Sequence, residues 1–387
     1  MKITKLFTEF FDSEKAGGLI LVIVTIISLV LANSPLQEGY LKIWNFDIAG
    51  HSVVHWINDG LMAIFFLMIG LELEREIYHG ELSRLKRASM PIFGAIGGML
   101  LPAGIYLSLN YGTDTQSGAG IAMATDIAFA IGIMSLLGNK VPASLKIFLI
   151  ALAVIDDLGA IIIIAVFYTT SLSLLNLGIA LGIIAVLGIL NRLKIHSLIP
   201  YLIGGIVAWY FMLLSGVHAT ITGVLLAFVI PYGDGGRKSP SYILQHFLHK
   251  PVAYIILPLF ALANTCIVIG SDWLGSLGEP FSLGIMAGLV LGKPIGIVLF
   301  SGIAVWLGLA SLPKDVKWGN IIGAGFLGGI GFTMSIFITL LAFENPEQID
   351  ASKISILIAS SIAALIGFTT LKLTLTNAAA DELDEDE

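Results

Sequence analysis

The chain has 387 residues, of which 57% are hydrophobic and only 12% are charged, against about 25% charged residues in soluble domains. This composition excludes a soluble globular protein and predicts a polytopic membrane protein, with residues 1–387 as a single transmembrane domain. The net charge of −7 arises mainly in the tail 375–387, which ends in DELDEDE and is expected to be solvated and disordered. One cysteine, Cys266, excludes an internal disulfide.

Hydropathy predicts an all-α fold with twelve transmembrane helices. Residues 1–15 resemble the start of a signal peptide, but their acids, Glu9, Asp12 and Glu14, favour an uncleaved first span after a short amphipathic surface helix. The eighth span is short, so it is either tilted or begins earlier. The predicted spans are 16–32, 53–72, 89–108, 118–137, 147–168, 174–191, 198–214, 217–231, 252–269, 282–305, 320–343 and 354–374.

The positively charged residues alternate with these spans. With the N-terminus in the cytoplasm, 17 of the 20 Lys and Arg residues lie in inside segments, Lys42 and Lys353 lie in outside loops, and Lys293 lies within a span. Because cytoplasmic loops are enriched in Lys and Arg, this split predicts that both termini are cytoplasmic. The longest outside loop, 33–52, contains an Ala-Gly turn signal that predicts a small β-hairpin.

Five ionisable residues lie well inside predicted spans: Asp59, Asp126, Asp156, Asp157 and Lys293. At about 1.5 Å per residue, Asp126, Asp156 and Lys293 share a depth near the bilayer midplane, although they belong to three different spans. Structural ion pairs that hold helices together are one explanation, but desolvation offsets most of their attraction. Charges in the membrane interior more often line an ion or proton path, and we favour that interpretation.

The neighbouring pair Asp156 and Asp157 indicates what such a path carries. Adjacent side chains on a helix diverge by about 100°, so one carboxylate can meet a neighbouring cation while the other faces a cavity. Hard carboxylate oxygens bind either a proton or a small alkali cation, and these two ligands compete. Such competition produces exchange when the site opens to one side of the membrane at a time.

Two spans carry residues that disfavour a continuous helix. Thr125 and Asp126 stand at the middle of the fourth span, and the eleventh span has five glycines within nine residues, from Gly323 to Gly331. Close helix packing through small residues is one explanation. The other is a pair of broken helices whose ends face a cavity. In that case Asp126 offsets exposed N-terminal ends and Lys293 offsets exposed C-terminal ends.

Several stretches along the chain are specific in combination: WINDGLMAIFFLMIGLELERE, AIGGMLLPAGIY, ATDIAFAIG, LKIFLIALAVIDDLGAIIIIAVFY, SGVHATITGV, ILPLFALAN, GLVLGKPIGI and GGIGFTMSIFI. Together they resemble the NhaA family of sodium/proton antiporters over nearly the whole chain. The resemblance implies inverted-topology repeats formed by spans 3–5 and 10–12, with discontinuous helices 4 and 11 that cross at the midplane. It also implies a bacterial inner-membrane location and a homodimer with the hairpin as a contact.

The resemblance implies roles for the intramembrane residues. Asp157 resembles the main cation-binding and proton-carrying carboxylate, and Asp156 resembles the neighbour that pairs with Lys293. Asp156 and Asp157 are thereby the implied ligands of the Na+ ion. Thr125 and Asp126 match the pair that supports the broken fourth helix. Whether Asp156 or Lys293 is the second proton carrier stays open at this point.

The resemblance also concerns access and regulation. Asp59 matches an aspartate of the periplasmic path. The segment 239–251 departs from the best-known members, because Tyr242, Ile243 and Gln245 stand where those carry basic residues and a glutamate. We therefore expect a shifted or shallower activation by pH. The residues implied in pH regulation are Glu72, Arg75, Glu76, His218, His246 and His249.

The predicted function is electrogenic, pH-regulated export of Na+, and of Li+, in exchange for H+ by alternating access, serving sodium and pH homeostasis. The expected partners are these ions and the lipid bilayer, and no nucleic acid. We expect neither an enzyme activity nor a cofactor. An intramembrane aspartyl protease needs facing carboxylates from two helices and a GxGD pattern, which the sequence lacks. A passive channel would favour rings of like residues, and phosphoryl chemistry would need a glycine-rich phosphate loop, which the sequence also lacks.

Overall fold

The structure is a computed structural model that describes residues 5–83, 85–168, 172–270 and 273–384. Within these ranges the chain is mostly helical, with one two-stranded hairpin. The first elements are α1 (Lys5–Ala32), α2 (Gln37–Trp44), β1 (Asp47–Ile48), β2 (His51–Ser52), α3 (Val53–His55), α4 (Met62–Tyr78), α5 (Leu85–Asn110), α6 (Ile127–Ser135) and α7 (Ala143–Phe167). They are followed by α8 (Leu174–Arg192), α9 (Ile199–Ser215), α10 (Ile221–Val229), α11 (Pro240–Pro251), α12 (Leu257–Asn264), α13 (Trp273–Ser276), α14 (Pro280–Ala287), α15 (Lys293–Trp306), α16 (Trp318–Gly328), α17 (Phe332–Ala342) and α18 (Pro346–Asp384).

Wider π-helical turns join some of these helices into longer rods. They are Trp56–Leu61 between α3 and α4, Val252–Ile256 between α11 and α12, and Gly288–Gly292 between α14 and α15. A proline follows the second and third of these turns closely, at positions 258 and 294. A proline has no N–H to donate to the preceding helical turn, so the helix is perturbed there. The first π-helical turn contains Asp59, and the third directly precedes Lys293.

Each predicted span overlaps one of these helices or a broken pair of them. In the described parts of the chain, seven helical stretches are long and apolar enough to cross a membrane, or up to nine if each bent pair counts as one span. The fold is therefore that of a polytopic helical membrane protein. Length and composition alone do not give the predicted twelve spans, because α6 and α10 have 9 residues each and α9 has 17.

The terminal helices extend beyond the predicted spans. α1 continues without a break from Lys5, so the described part of the expected surface helix is continuous with the first span. α18 reaches Asp384 and thus includes most of the acidic tail, since no proline or glycine follows Gly367. Residues 1–4 and 385–387, to which parts of both terminal predictions refer, lie outside the described residues.

The chain forms two compact units. The first contains the residues up to Ile23, residues 84–160 and the residues from Ile267 onward. In its core α5 packs against α15, and the two backbones meet at Gly97 and Gly296. A Cβ atom added to either glycine would overlap the carbonyl oxygen of the other. These glycines therefore allow the close helix approach that is common inside membranes.

The second unit contains Val24–Ser83 and Ile161–Cys266. In it α4 packs against α10, and α8 packs against α9. Gly223 of α10 lies against the carbonyl of Ala63 in α4, where a larger residue would overlap the backbone. As in the first unit, a small residue sets the distance between the helices.

The predicted hairpin is confirmed in the second unit. β1 and β2 are antiparallel, with Asp47 opposite Ser52 and Ile48 opposite His51. The turn residues Ala49 and Gly50 have positive φ angles of 56° and 87°, which a tight two-residue hairpin turn requires. The Asp47 carboxylate accepts a hydrogen bond from the Gly50 amide at 3.0 Å and stabilises this turn.

Candidate ion-binding site

Two broken helical segments meet in the first unit. α16 ends at Gly328 and α17 begins at Phe332 with a bend of 44°, while residues 121–126 are irregular before α6 begins. The Asp126 amide donates to the Ile330 carbonyl at 2.7 Å, and the Ser335 hydroxyl donates to the Ile121 carbonyl at 2.5 Å. Backbone groups at one break, which lack a helical hydrogen bond, thus find partners in the other broken segment.

The glycines of the eleventh predicted span are involved both in a helix break and in close helix packing. The helix is interrupted at residues 329–331, between α16 and α17. In addition, a Cβ atom at Gly329 would overlap the carbonyl oxygen of Leu289, in the π-helical turn that precedes Lys293. The break and the close approach therefore occur at the same glycine.

Asp126 contacts the N-terminal turns of two helices. Its Oδ1 accepts a hydrogen bond from the Phe129 amide of α6 at 2.9 Å. Its Oδ2 accepts from the Thr333 amide of α17 at 3.0 Å and from the Thr333 hydroxyl at 2.5 Å. The side chain is only 2% exposed. A negative charge at this position offsets the partial positive charge of both helix N-termini and caps their amides.

Lys293 and Asp156 form an ion pair inside the first unit. Lys293 Nζ lies 2.9 Å from Asp156 Oδ2, and both side chains are completely buried. The same ammonium donates to the carbonyl of Met123, in the irregular segment before α6. The lysine therefore neutralises a carboxylate and also binds a backbone carbonyl that the helix break exposes.

Thr125 connects this ion pair to the broken helix. Its hydroxyl oxygen lies 2.7 Å from Asp156 Oδ2 and 2.8 Å from the carbonyl oxygen of Gly328, the last residue of α16. A hydroxyl group has one proton, so it can donate to only one of these oxygens. Both contacts become hydrogen bonds when Asp156 carries a proton, because the carboxyl group then donates to Thr125 and Thr125 donates to Gly328.

Asp157 follows Asp156 on α7 and is 1% exposed. It lies close enough to Lys293 for the two charges to interact. Hard oxygen atoms and one ammonium group thus lie together in one buried region of the first unit, contributed by Asp156, Asp157, Thr125 and Lys293. The described residues contain no group of three or more His, Cys, Asp or Glu side chains that could hold a metal ion.

Asp59 and His218 belong to the second unit. Asp59 Oδ2 lies 3.2 Å from Nδ1 of His55, and its main-chain carbonyl accepts a hydrogen bond from the Trp209 indole at 3.1 Å. His218 Nε2 lies 3.0 Å from the carbonyl oxygen of Tyr168, and its ring interacts electrostatically with Asp59. The resemblance gave these two residues different roles, yet their charges influence each other.

The residues implied in pH regulation also lie in the second unit. Glu72, Arg75 and Glu76 share α4, and the charges of Arg75 and Glu76 act on the buried Glu72. His246 and His249 lie on α11, where the His246 ring stacks on Tyr242 with centroids 6.1 Å apart.

Sequence reasoning missed two further contacts of this region. The Ser241 hydroxyl donates to the buried Glu74 carboxylate at 3.2 Å, which links α11 to α4. The Tyr232 hydroxyl lies 2.6 Å from His79 Nδ1, and burial raises the pKa of this phenol. Glu74 was overlooked because the motif assigns only its neighbours Glu72 and Glu76, and its partner is 167 residues away.

Known proteins match this chain over nearly its whole length. A family profile described as "Na+/H+ antiporter 1" matches residues 8–371. The sequence is 68% identical to "Na(+)/H(+) antiporter NhaA 1" of Flavobacterium johnsoniae over 376 residues, covering 97% of this chain and 99% of that protein. It is 61% identical over 386 residues to "Na(+)/H(+) antiporter NhaA" of Cytophaga hutchinsonii, covering 100% of both chains. The sodium proton antiporter MjNhaP1 of Methanocaldococcus jannaschii has 16% identity and a TM-score of 0.49, covering 95% of this chain and 100% of that one.

Proposed function

We propose that this chain, which belongs to the Na+/H+ antiporter 1 family, exchanges Na+ for H+ across a membrane. The observation that carries this proposal is the buried Asp156–Lys293 pair beside Asp157 and Thr125, at the junction of two helix breaks. Carboxylates in this environment bind either protons or a small cation. The protein is accordingly a transporter, with Na+ and H+ as its cargo.

Asp157 is the main carrier in this proposal, and Asp156 is the second Na+ ligand. When Na+ approaches Asp156, two cations compete for one carboxylate, because Lys293 already lies 2.9 Å from it. The repulsion favours release of the lysine proton or separation of the pair. This geometry supports Lys293 over Asp156 as the second proton carrier. Two protons then move for each Na+ ion, and the exchange is electrogenic.

Alternating access follows from the helix breaks. Asp126 and Lys293 compensate helix ends that would otherwise expose unpaired backbone groups, so the site stays intact while the surrounding helices move. Protons enter from the outside, and Na+ displaces them on the inside. The ligands are hard oxygens, which suit Li+ as well as Na+.

The proposed architecture has twelve spans in a single transmembrane domain, with inverted repeats of spans 3–5 and 10–12. The fourth and eleventh spans cross as discontinuous helices. The contacts of Asp126 with Ile330 and Thr333 support this arrangement. We place the protein in the bacterial inner membrane with both termini in the cytoplasm. A homodimer would use the hairpin of β1 and β2 as a contact.

Regulation by pH is proposed for the charged group on α4. Glu72, Arg75 and Glu76 interact there, and His246 and His249 remain on α11. At three other positions α11 carries Tyr242, Ile243 and Gln245, where the best-known members carry basic residues and a glutamate. The Ser241–Glu74 hydrogen bond is the link between α4 and α11 that the structure offers in their place. We expect a shifted or shallower activation, measured as exchange rate against pH. A profile equal to that of the best-known members would contradict this.

The experiment that tests the proposed function uses purified protein in liposomes with an acidic interior and a dye that reports the pH difference. Addition of Na+ or Li+, but not K+, should dissipate the gradient, and a K+/valinomycin clamp should accelerate this because exchange moves net charge. Asp157→Asn should abolish the response while the protein stays folded. Asp114→Asn, which makes the same change at an exposed aspartate, is the matched control.

Two outcomes would overturn the proposal. One is the absence of proton flux with every cation, from folded protein over the neutral to alkaline range. The other is full Na+-driven flux in Asp157→Asn, which would remove the assigned role of that carboxylate.

A further inference from the structure

Three titratable side chains of the second unit follow one another at intervals of four residues. The His51 ring stacks on the His55 ring with centroids 4.2 Å apart and an angle of 16° between the planes. His55 Nδ1 in turn lies 3.2 Å from Asp59 Oδ2. His51 is exposed, whereas the side chains of His55 and Asp59 are 34% and 21% exposed. The series therefore leads from solvent to a partly buried carboxylate.

Several contacts hold this series in place. The hairpin register sets His51 opposite Ile48, whose carbonyl accepts a hydrogen bond from the Trp56 indole at 2.9 Å. The His51 ring also meets the Trp56 ring edge-on, with centroids 6.0 Å apart. The Ser52 hydroxyl accepts from the His55 amide at 3.3 Å and caps α3. The rings are thus fixed by the hairpin, by the start of α3 and by the π-helical turn.

The groups around these rings can bind a proton and pass it on. An imidazole ring can accept a proton at one nitrogen and release it from the other. The carboxylate of Asp59 attracts a proton at the inner end of the series, and His218, in the loop before α10, interacts electrostatically with the same carboxylate.

The other charged groups near the series are already engaged. Asp47 of β1 accepts from the Gly50 amide. On α2, which packs against α3, Glu38 and Lys42 pair with each other at 2.7 Å. Histidine is the side chain whose charge ordinarily changes between about pH 5 and 8, which suits it to take a proton from water. Face-to-face rings share no in-plane hydrogen bond, so a proton passes from His51 to His55 when a ring turns or a water molecule bridges their nitrogen atoms.

We infer that His51 and His55 form, together with Asp59, a relay through which the antiporter takes up protons from the outer aqueous phase. This inference rests on the proposed function and on the proposed orientation of the chain. An edge-to-edge contact between the hairpins of two protomers would use backbone groups and leave the face that carries His51 open.

The test uses right-side-out membrane vesicles loaded with radioactive Na+, with the internal pH held by a strong buffer. The rate of Na+ loss is measured while the external pH varies between about 5.5 and 8.5, the range in which histidine changes charge. In His51→Gln/His55→Gln the external pH of half-maximal rate should move about one unit towards acid, a tenfold higher proton concentration. The dependence on internal pH and on Na+ should stay as in the wild type.

Further variants separate the relay from a structural role. His51→Gln alone changes an exposed residue and should give part of the shift without loss of folded protein. Asp59→Asn should give a shift equal to that of His55→Gln, and the combined variant should add little, because the residues act as a unit. His196→Gln, at an exposed histidine outside the series, is the matched control and should leave the profile unchanged.

The outcomes distinguish the two proposals. If the wild type exchanges Na+ for H+ and the folded double variant keeps the wild-type external pH profile, this inference is overturned and the proposed function stands. If the rates fall equally at every external pH, the histidines have only a structural role, and the inference is overturned as well. If the wild type exchanges no Na+, the proposed function fails and this inference fails with it.

Discussion

Removal of one partner from the Lys293–Asp156 pair should destabilise the protein more than removal of both. The two groups lie 2.9 Å apart and are completely buried, so Lys293→Met leaves a carboxylate in the interior without its cation. Such a change costs about 3–5 kcal/mol. The Met123 carbonyl also loses its donor, which adds about 1–3 kcal/mol.

In the double variant Asp156→Asn/Lys293→Gln, two amides replace the two charges and can still hydrogen-bond to each other. Replacement of a whole buried ion pair by hydrophobic residues of similar volume is often close to neutral in stability, and a pair of amides likewise leaves no uncompensated charge. We therefore expect the double variant to recover about 3 kcal/mol of the deficit of Lys293→Met.

The assay is unfolding by denaturant in detergent micelles, followed by tryptophan fluorescence. Lys238→Met, at an exposed lysine, is the matched control and should change little. A double variant no more stable than Lys293→Met would refute the reasoning.

Three other substitutions test the contacts around the pair. Thr125→Val leaves the Gly328 carbonyl without its donor, so it should cost about 1–3 kcal/mol of stability and raise the Na+ concentration for half-maximal exchange. Thr125→Ser keeps the hydroxyl and should retain both properties, and equal effects of the two substitutions would contradict the role of the hydroxyl. Asp126→Ala should lower stability by about 2 kcal/mol or more, because the N-termini of α6 and α17 both lose their cap, and Asp126→Asn should lower it less. Thermal unfolding in detergent measures the two losses, and equal losses would show that the charge is unimportant. Gly296→Val should prevent accumulation of folded protein, because the new side chain would overlap the carbonyl of Gly97, whereas Gly104→Ala meets no neighbour and should be tolerated. Size-exclusion profiles measure the amount of folded protein, and a normal profile for Gly296→Val would contradict this.

Much of the site was accessible from the sequence because charges inside apolar spans are costly and therefore informative. The shared depth of Asp156 and Lys293 predicted that they lie near each other, and they form an ion pair. The expectation that Asp126 faces helix N-termini agrees with its hydrogen bonds to the first turns of α6 and α17. In both cases a single strong energetic term, the desolvation of a charge, restricts the possible partners.

Other parts could not be predicted because several weak terms decide them. The π-helical turn that contains Asp59 has no proline signal, and its position depends on tertiary contacts such as the Trp209 indole on the Asp59 carbonyl. The Ser241–Glu74 hydrogen bond joins residues on distant helices. A serine hydroxyl has many possible acceptors, so its sequence position does not reveal which carboxylate it meets.

The helix breaks and the buried charges depend on each other energetically. A broken helix inside a membrane leaves backbone amides and carbonyls unpaired, and a buried ion leaves its charge unsolvated. Here each cost offsets the other, since Asp126 binds amides at two helix starts and Lys293 binds the Met123 carbonyl. Thr125 adds the carbonyl at the end of α16 to the same network through Asp156. A Na+ ion at Asp156, or the loss of the Lys293 proton, therefore also changes the partners available to the helix ends. The proposed ion-binding site is in this way the same structure that holds the broken helices together.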